Sequence, residues 1–103
     1  MRFRVRFTRE AEEDLVRLYE FILERDATDW QVAERALEAI HHAIASLERS
    51  PFSYRKAAGA SSPFLRELVI PFGSTGYVAL FEIEGNDLVT ILAVRHQRED
   101  DYY

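Results

Sequence analysis

The residues best suited to chemistry lie near the C-terminus, directly after a long apolar run. Arg95, His96, Gln97 and Arg98 follow that run, and Tyr102 lies a few residues further on. Without a metal, such a set could cut RNA: one group would deprotonate a 2′-hydroxyl, another would protonate the leaving oxygen, and arginine would hold the phosphate. A strand end whose basic residues pair with neighbouring acids has the same composition. The residue types alone leave both interpretations open.

An arginine stripe near the N-terminus is the second candidate. Arg2, Arg4 and Arg6 alternate with apolar residues, so they share one face of a predicted strand. Such a stripe could grip phosphates or the carboxylates of a partner. More often it is the solvated side of an edge strand, where charge discourages sheet-to-sheet aggregation. We favour the edge strand and keep Arg4 and Arg6 as candidate contacts for a partner.

Phe21 is the third candidate, because it lies on the far side of the first predicted helix from Leu15, Leu18 and Ile22. Its ring either packs on the neighbouring helix or the loop at 52–54, or it is an exposed anchor for a partner.

Metal and cofactor sites have little support in the sequence. Glu38, His41 and His42 form the one metal-like cluster; Glu38 and His42 share a helix face, while His41 points toward the apolar stripe. Two helical ligands without a third make a weak site, so we interpret the cluster as a solvated helix face. The chain has no phosphate loop, G-x-S-x-G motif or dinucleotide fingerprint. We therefore predict no metal and no cofactor.

Length and composition limit the classes of protein to which the chain can belong. The chain has 103 residues, 48% hydrophobic and 30% charged, as expected for a single globular domain over 1–103. The absence of cysteine excludes disulfide scaffolds and thiol nucleophiles, and fits a cytoplasmic protein. No apolar run is long enough to span a bilayer. A net charge of −5 argues against direct DNA binding through a broad basic surface.

Hydrophobic periodicity predicts the elements that must position these residues. Thr8 is a candidate N-cap, followed by the first-turn acids Glu10, Glu12, Glu13 and Asp14. The four glycines are interpreted as turn residues. The predicted elements are a strand at 3–7, helices at 8–25 and 30–47, a loop at 52–63, and strands at 64–70, 76–84 and 88–96, with a loose turn at 71–75 and a tight one at 85–87.

This β-α-α-β-β-β order predicts an α+β domain of two layers. A helical hairpin would cover one face of a mostly antiparallel four-stranded sheet. The final strand is almost continuously apolar and should lie inside the sheet. The polar residues after it would therefore project from a rigid element. We expect Arg66 and Glu67, at the start of the second strand, to lie near them.

The chain resembles the RelE/ParE superfamily of toxins from bacterial type II toxin–antitoxin (plasmid stabilisation) systems. The resemblance rests on the N-terminal strand followed by TREAEEDLVRLYEFI, on L-R-E-L and S-x-G-Y at Leu65–Leu68 and Ser74–Tyr77, and on V-R-H-Q-R-E at the end of the last strand. It covers nearly the whole chain and is least distinctive at 52–63. It implies a cognate antitoxin as partner.

The superfamily has two mechanistic branches. RelE-type members are ribosome-dependent ribonucleases that cleave mRNA, whereas ParE-type members are described as poisoning DNA gyrase. The RelE pattern has lysines before the S-x-G-Y hairpin and an arginine after its tyrosine; here Glu67-Leu68-Val69-Ile70 and Val78 occupy those positions. Its C-terminal arginine and tyrosine are matched only by His96 or Arg98 and by Tyr102. Because a phosphate transition state needs positive charge, the resemblance is closer to the ParE branch.

The resemblance leaves three functions open. The first is a toxin that inhibits DNA gyrase by binding and is neutralised by its antitoxin. The second is a metal-independent mRNA endonuclease acting on the ribosome, with Arg66, His96, Arg98 and Tyr102 as catalytic residues. The third is an antitoxin-binding protein that has lost toxicity. For the first, which we favour, the residues expected to contact target or antitoxin are Arg95, His96, Gln97, Arg98, Tyr102, Arg4, Arg6 and Phe21.

Overall fold

The structure, a computed structural model, describes residues 2–25 and 27–97. Its elements are β1 (Arg4–Phe7), α1 (Arg9–Arg25), α2 (Trp30–Ala45), two 3₁₀ turns (Ser46–Glu48 and Pro51–Ser53), β2 (Arg55–Lys56), β3 (Leu65–Phe72), β4 (Thr75–Glu84) and β5 (Leu88–His96). Over these residues the strands form one sheet in the order β1-β5-β4-β3-β2. β1 runs parallel to β5 and the other neighbours are antiparallel. The predicted α+β fold, with two helices packed on a mostly antiparallel sheet, is confirmed.

The sheet has a fifth strand where the sequence predicted only a loop. Arg55 and Lys56 pair with Glu67 and Arg66, and the Arg55 guanidinium donates to the Glu67 carboxylate at 3.0 Å. Both residues of β2 are exposed, so no alternation of apolar and polar side chains marks the strand. The predicted number of four strands is therefore wrong by this one short edge strand.

The turn between β3 and β4 is tighter than predicted. β3 continues to Phe72, and Gly73, with a φ of 62°, lies in the turn that follows it. Pro71 is tolerated within the strand because the carbonyl of Leu65 accepts from Ala57 on the β2 side, and odd-numbered residues of β3 share that orientation. The missing N–H of Pro71 therefore faces the outer edge, where no strand needs it.

The two helices agree with the prediction in kind and closely in position. The Thr8 hydroxyl accepts from the backbone N–H of Ala11 at 3.1 Å, which confirms Thr8 as the N-cap of α1. Trp30 is an apolar residue of α2, but 54% of it is exposed. It is the first residue of the helix and precedes the part of the stripe that reaches the sheet.

The core lies between the helices and one face of the sheet. Residues of β4 alternate between buried and partly exposed, as expected when one face of a strand is covered. The largest fully buried side chains are Phe81, Ile40, Leu47, Ile70, Ile91, Val89, Val94 and Pro51. β5 lies between β1 and β4, so the prediction that it is an interior strand is confirmed. No helix in residues 2–25 and 27–97 is long and apolar enough to cross a membrane.

Candidate functional site

The end of β5 carries the first part of the predicted C-terminal site. His96 lies opposite Tyr77 of β4, and the two rings meet edge-to-face with centroids 5.6 Å apart. The backbone N–H of Gln97 donates to the carbonyl of Gly76 at 2.8 Å, so pairing continues past the last strand residue. The predicted site residues Arg98 and Tyr102 lie outside the described residues.

Tyr77 is the aromatic residue that supports this end of the strand. Only 5% of it is exposed, and its ring also contacts Phe72 with centroids 6.1 Å apart. Burial raises the pKa of the Tyr77 phenol above its ordinary value of 10.0. The phenol therefore stays protonated at neutral pH and is poorly suited to act as a general base.

Arg95 points toward a buried carboxylate. Its guanidinium forms an ion pair with Asp14 of α1, and its side chain is 22% exposed. Asp14 also pairs with Arg17 and accepts the backbone N–H of Val94 at 2.9 Å. The sequence had placed Asp14 among the first-turn acids of α1. One signal could have set it apart: Asp14 lies three residues after Ala11 and four before Leu18, which puts it on the apolar face of the helix.

Arg66, the second residue of β3, holds the loop segments that precede the strand. Its guanidinium donates to the carbonyls of Pro63 at 2.8 Å, Phe52 at 3.1 Å and Tyr54 at 2.7 Å. It also lies 5.2 Å from the centroid of the Phe52 ring. These contacts tie two loop segments to the start of the strand.

Arg66 and His96 lie at different ends of the sheet. Across the sheet, His96 of β5 lies opposite Tyr77 of β4, and Tyr77 lies opposite Ile70 of β3. Arg66 precedes Ile70 by four residues, roughly 13 Å along an extended strand. Arg66 therefore does not lie beside His96, the part of the C-terminal patch to which the register can be compared.

The arginine stripe lies on β1, which is an edge strand as predicted. Each of its arginines has an acidic neighbour among the described residues. The nitrogen–oxygen distances are 3.2 Å for Arg2 and Glu48, 3.8 Å for Arg4 and Asp87, and 3.4 Å for Arg6 and Glu84.

Arg6 is held most firmly. Its guanidinium also donates to the hydroxyl of Thr90 at 2.9 Å, and that hydroxyl donates to the Glu84 carboxylate. The hydrogen bond from Thr90, followed by the charge and hydrogen bond of Arg6, holds the pKa of Glu84 below its ordinary value of 4.5. Arg4, with 76% of its side chain exposed, is the more available of the two candidate contacts.

The outer edge of β1 is open. The backbone N–H groups of Arg4 and Thr8 donate to β5 and its preceding turn, so the odd-numbered residues between them face the other way. Phe3 N–H is satisfied by the carbonyl of Glu48 at 2.7 Å. Within residues 2–25 and 27–97, no strand pairs with the outward backbone groups of Val5 and Phe7. A shallow groove of about 520 Å³ lies along this edge, lined by Arg2, Phe3, Arg4, Val5 and Glu48.

Phe21 is 53% exposed on α1. The loop residue Phe52, which was one possible packing partner, instead contacts Phe3 and Phe64, with centroids 6.5 Å and 6.2 Å away. Phe21 therefore presents about half of its surface to solvent on the helical layer, while the arginine stripe lies on the edge of the sheet.

No group of three histidine, cysteine, aspartate or glutamate side chains in the described part of the chain is arranged to hold a metal ion. His41 and His42 are both exposed, and the ring of His41 meets that of Phe7 edge-on at 6.3 Å.

Comparison with known proteins gives one family match. Residues 5–101 match the family described as ParE toxin of type II toxin-antitoxin system, parDE. No curated protein sequence matches the chain. Among solved structures, a chain of the chromosomal ParDE TA system from P. aeruginosa is similar with a TM-score of 0.72 and 19% identity, covering 91% of this chain and 95% of that one. A chain of the toxin–antitoxin complex RelBE2 from Mycobacterium tuberculosis is similar with a TM-score of 0.60 and 24% identity, covering 96% and 95%.

Proposed function

The chain belongs to the ParE toxin family of type II toxin–antitoxin systems, and we propose that it acts by binding DNA gyrase rather than by cutting RNA. The choice rests on the contacts and the position of Arg66. A ribonuclease would need that guanidinium beside the scissile phosphate, together with the C-terminal residues. Here three backbone carbonyls engage it, and the strand register separates it from His96.

The remaining positive charge also favours binding over phosphate chemistry. Arg95 is directed at Asp14, and the arginines of β1 lie beside acids. A phosphate transition state is stabilised by preorganised cations aimed at the developing charge, whereas protein recognition tolerates cations that are already paired. The end of β5 therefore serves as a recognition surface, comprising Arg95, His96 and Gln97 and continuing into the C-terminal residues Arg98 and Tyr102.

A cognate antitoxin is the second partner in this proposal. The open edge of β1 can accept an extended segment, because the outward backbone groups of Val5 and Phe7 are available for strand addition. The opposite edge is less suitable, since β2 covers its first residues and Pro71 lacks a donor. The exposed Phe21 would anchor a helix of the same antitoxin on α1, and Arg4 would face acidic residues of the added segment.

Controlled expression in a bacterial cytoplasm, where we place the protein, tests the function. Gyrase binding predicts arrested DNA synthesis and an induced damage response, both prevented when the cognate antitoxin is co-expressed. Arrested translation with cut messages would contradict the proposal. Growth without either defect, with antitoxin binding retained, would indicate a copy that has lost toxicity.

A further inference from the structure

We propose that Asp14 is a positioning residue for recognition: it fixes the end of β5, from which the target-binding residues continue. The inference rests on the proposed function, which identifies gyrase as the target that is recognised. The anchoring itself follows from the contacts of the Asp14 carboxylate with Val94 and Arg95.

The need for an anchor arises from the lengths of the two neighbouring strands. β1 pairs with β5 only as far as Ile91, opposite Phe7. Beyond that point β5 continues to His96 with a strand neighbour on the β4 side alone. The last residues of β5 would therefore have unpaired backbone groups on the side where β1 has ended, and buried groups of this kind must find other partners.

A β-bulge directs those backbone groups toward α1. Phe81 pairs with Ile91, but the next residue of β4, Leu80, pairs with Ala93, so Leu92 is the extra residue. After the bulge, the carbonyl of Leu92 faces the N-cap Thr8, whose hydroxyl lies 3.4 Å away. The N–H of Val94 likewise faces the Asp14 carboxylate, which takes the place of the missing strand.

The charge of Asp14 also holds Arg95, the residue that follows Val94. Its side chain is only 3% exposed, and a buried carboxylate is costly unless it is both paired and hydrogen-bonded. The pairing comes from Arg95 and from Arg17, whose side chain is 65% exposed. Because Arg95 directly precedes His96, the carboxylate holds both the backbone and the side chain at the point where the recognition residues begin.

This arrangement predicts that the charge of Asp14 matters more for recognition than for folding. Asparagine at this position keeps the shape and can still accept from Val94, but it removes the charge that Arg95 needs. Glu13→Gln is the matched control, because it removes the same charge from an exposed side chain one residue away.

The test measures amide hydrogen exchange and gyrase inhibition in the full chain. Asp14→Asn should increase the exchange rate of the Val94 amide by about tenfold, the size expected when a hydrogen bond to a charged acceptor is replaced by a weaker one to a neutral acceptor. The Val89 amide, which precedes the bulge, should change less. The concentration for half-inhibition of gyrase should rise by a similar factor, whereas Glu13→Gln should change neither quantity.

Arg95→Gln provides a second route to the same conclusion if Asp14→Asn folds poorly. It should reproduce the faster exchange, and the double variant should be no worse than the more affected single variant, since both remove one interaction. Unchanged exchange in both single variants overturns the anchoring. Faster exchange with unchanged inhibition overturns the link to recognition. If the unaltered protein does not inhibit gyrase, the proposed function fails, and the exchange measurement still decides the anchoring.

Discussion

The Cα of Gly76 lies so close to the carbonyl of Ile70 that a Cβ at this position would be 2.2 Å from the carbonyl oxygen. Gly76 does not have the positive φ of the turn glycines, and it lies within β4 rather than in a turn. Its interpretation as a turn residue is therefore wrong. The glycine of the S-x-G-Y motif is required by close backbone approach, and it brings the following Tyr77 against His96.

Gly76→Ala should destabilise the protein more than a glycine substitution in a turn. The added methyl must push the backbone of β3 away, and such overpacking costs about 1–3 kcal/mol. Gly85→Asn is the control, because Gly85 has a φ of 64° with open space around it and asparagine tolerates that conformation. Urea unfolding measures both. Equal losses of stability would show that the contact with Ile70 is not the constraint.

Arg66→Lys should destabilise the protein although the charge is kept. Lysine cannot reach three carbonyls with one ammonium group, so the loss should be about 1–3 kcal/mol in urea unfolding. Gyrase inhibition by the folded fraction should remain unchanged. A normal stability combined with lost toxicity would contradict the structural role of Arg66 and favour a role in chemistry.

The stability contribution of Glu84 should depend on pH. Because its pKa is lowered on folding from 4.5, the contribution is present above the unfolded pKa and is lost as the pH falls through the folded pKa. Glu84→Gln should therefore be less stable than the unaltered protein at about pH 7, and the difference should shrink as the pH falls below the unfolded pKa.

Glu20→Gln, an exposed position on α1, controls for the change in net charge. The measurement is the urea midpoint of each variant across this pH range. A stability difference for Glu84→Gln that stays constant down to low pH would show that the carboxylate charge is not what Thr90 and Arg6 stabilise.

Phe21→Ala should weaken antitoxin binding without loss of stability. Its ring is 53% exposed, so folding gains little from it, and truncation of an aromatic anchor typically weakens binding by about tenfold or more. Val16→Ala is the matched control, because Val16 is 58% exposed on the same helix but lies about 140° away around its axis. Titration calorimetry would test this, and equal affinities for the two variants would remove Phe21 from the interface.

Local patterns predicted most of the elements. The alternation at residues 3–7, the Thr8 cap and the apolar run of β5 each depend on neighbouring residues, so they could be recognised along the chain. β2 could not, because its two residues are exposed and only their backbone pairing with β3 makes them a strand. The parallel pairing of β1 with β5 joins residues far apart in the sequence and has no local signal.

The candidate site was predictable in its residues but not in their arrangement. The sequence indicated Arg66 and His96 as residues capable of chemistry, but only the register of three strands separates them. Asp14 was read as one of several acids near a helix start. Its carboxylate accepts from Val94, eighty residues away in sequence, and hydrophobic periodicity carries no signal of such a distant contact.

The most direct test is a paired assay with purified protein: gyrase supercoiling in one arm and a translating ribosome extract with end-mapped mRNA in the other. Gyrase binding predicts inhibited supercoiling or trapped cleavage complexes, relieved by antitoxin, with intact mRNA. Codon-phased mRNA cuts that vanish in His96→Ala or Arg98→Ala, with supercoiling unaffected, would contradict the account. They would mean that the end of β5 catalyses RNA cleavage without Arg66.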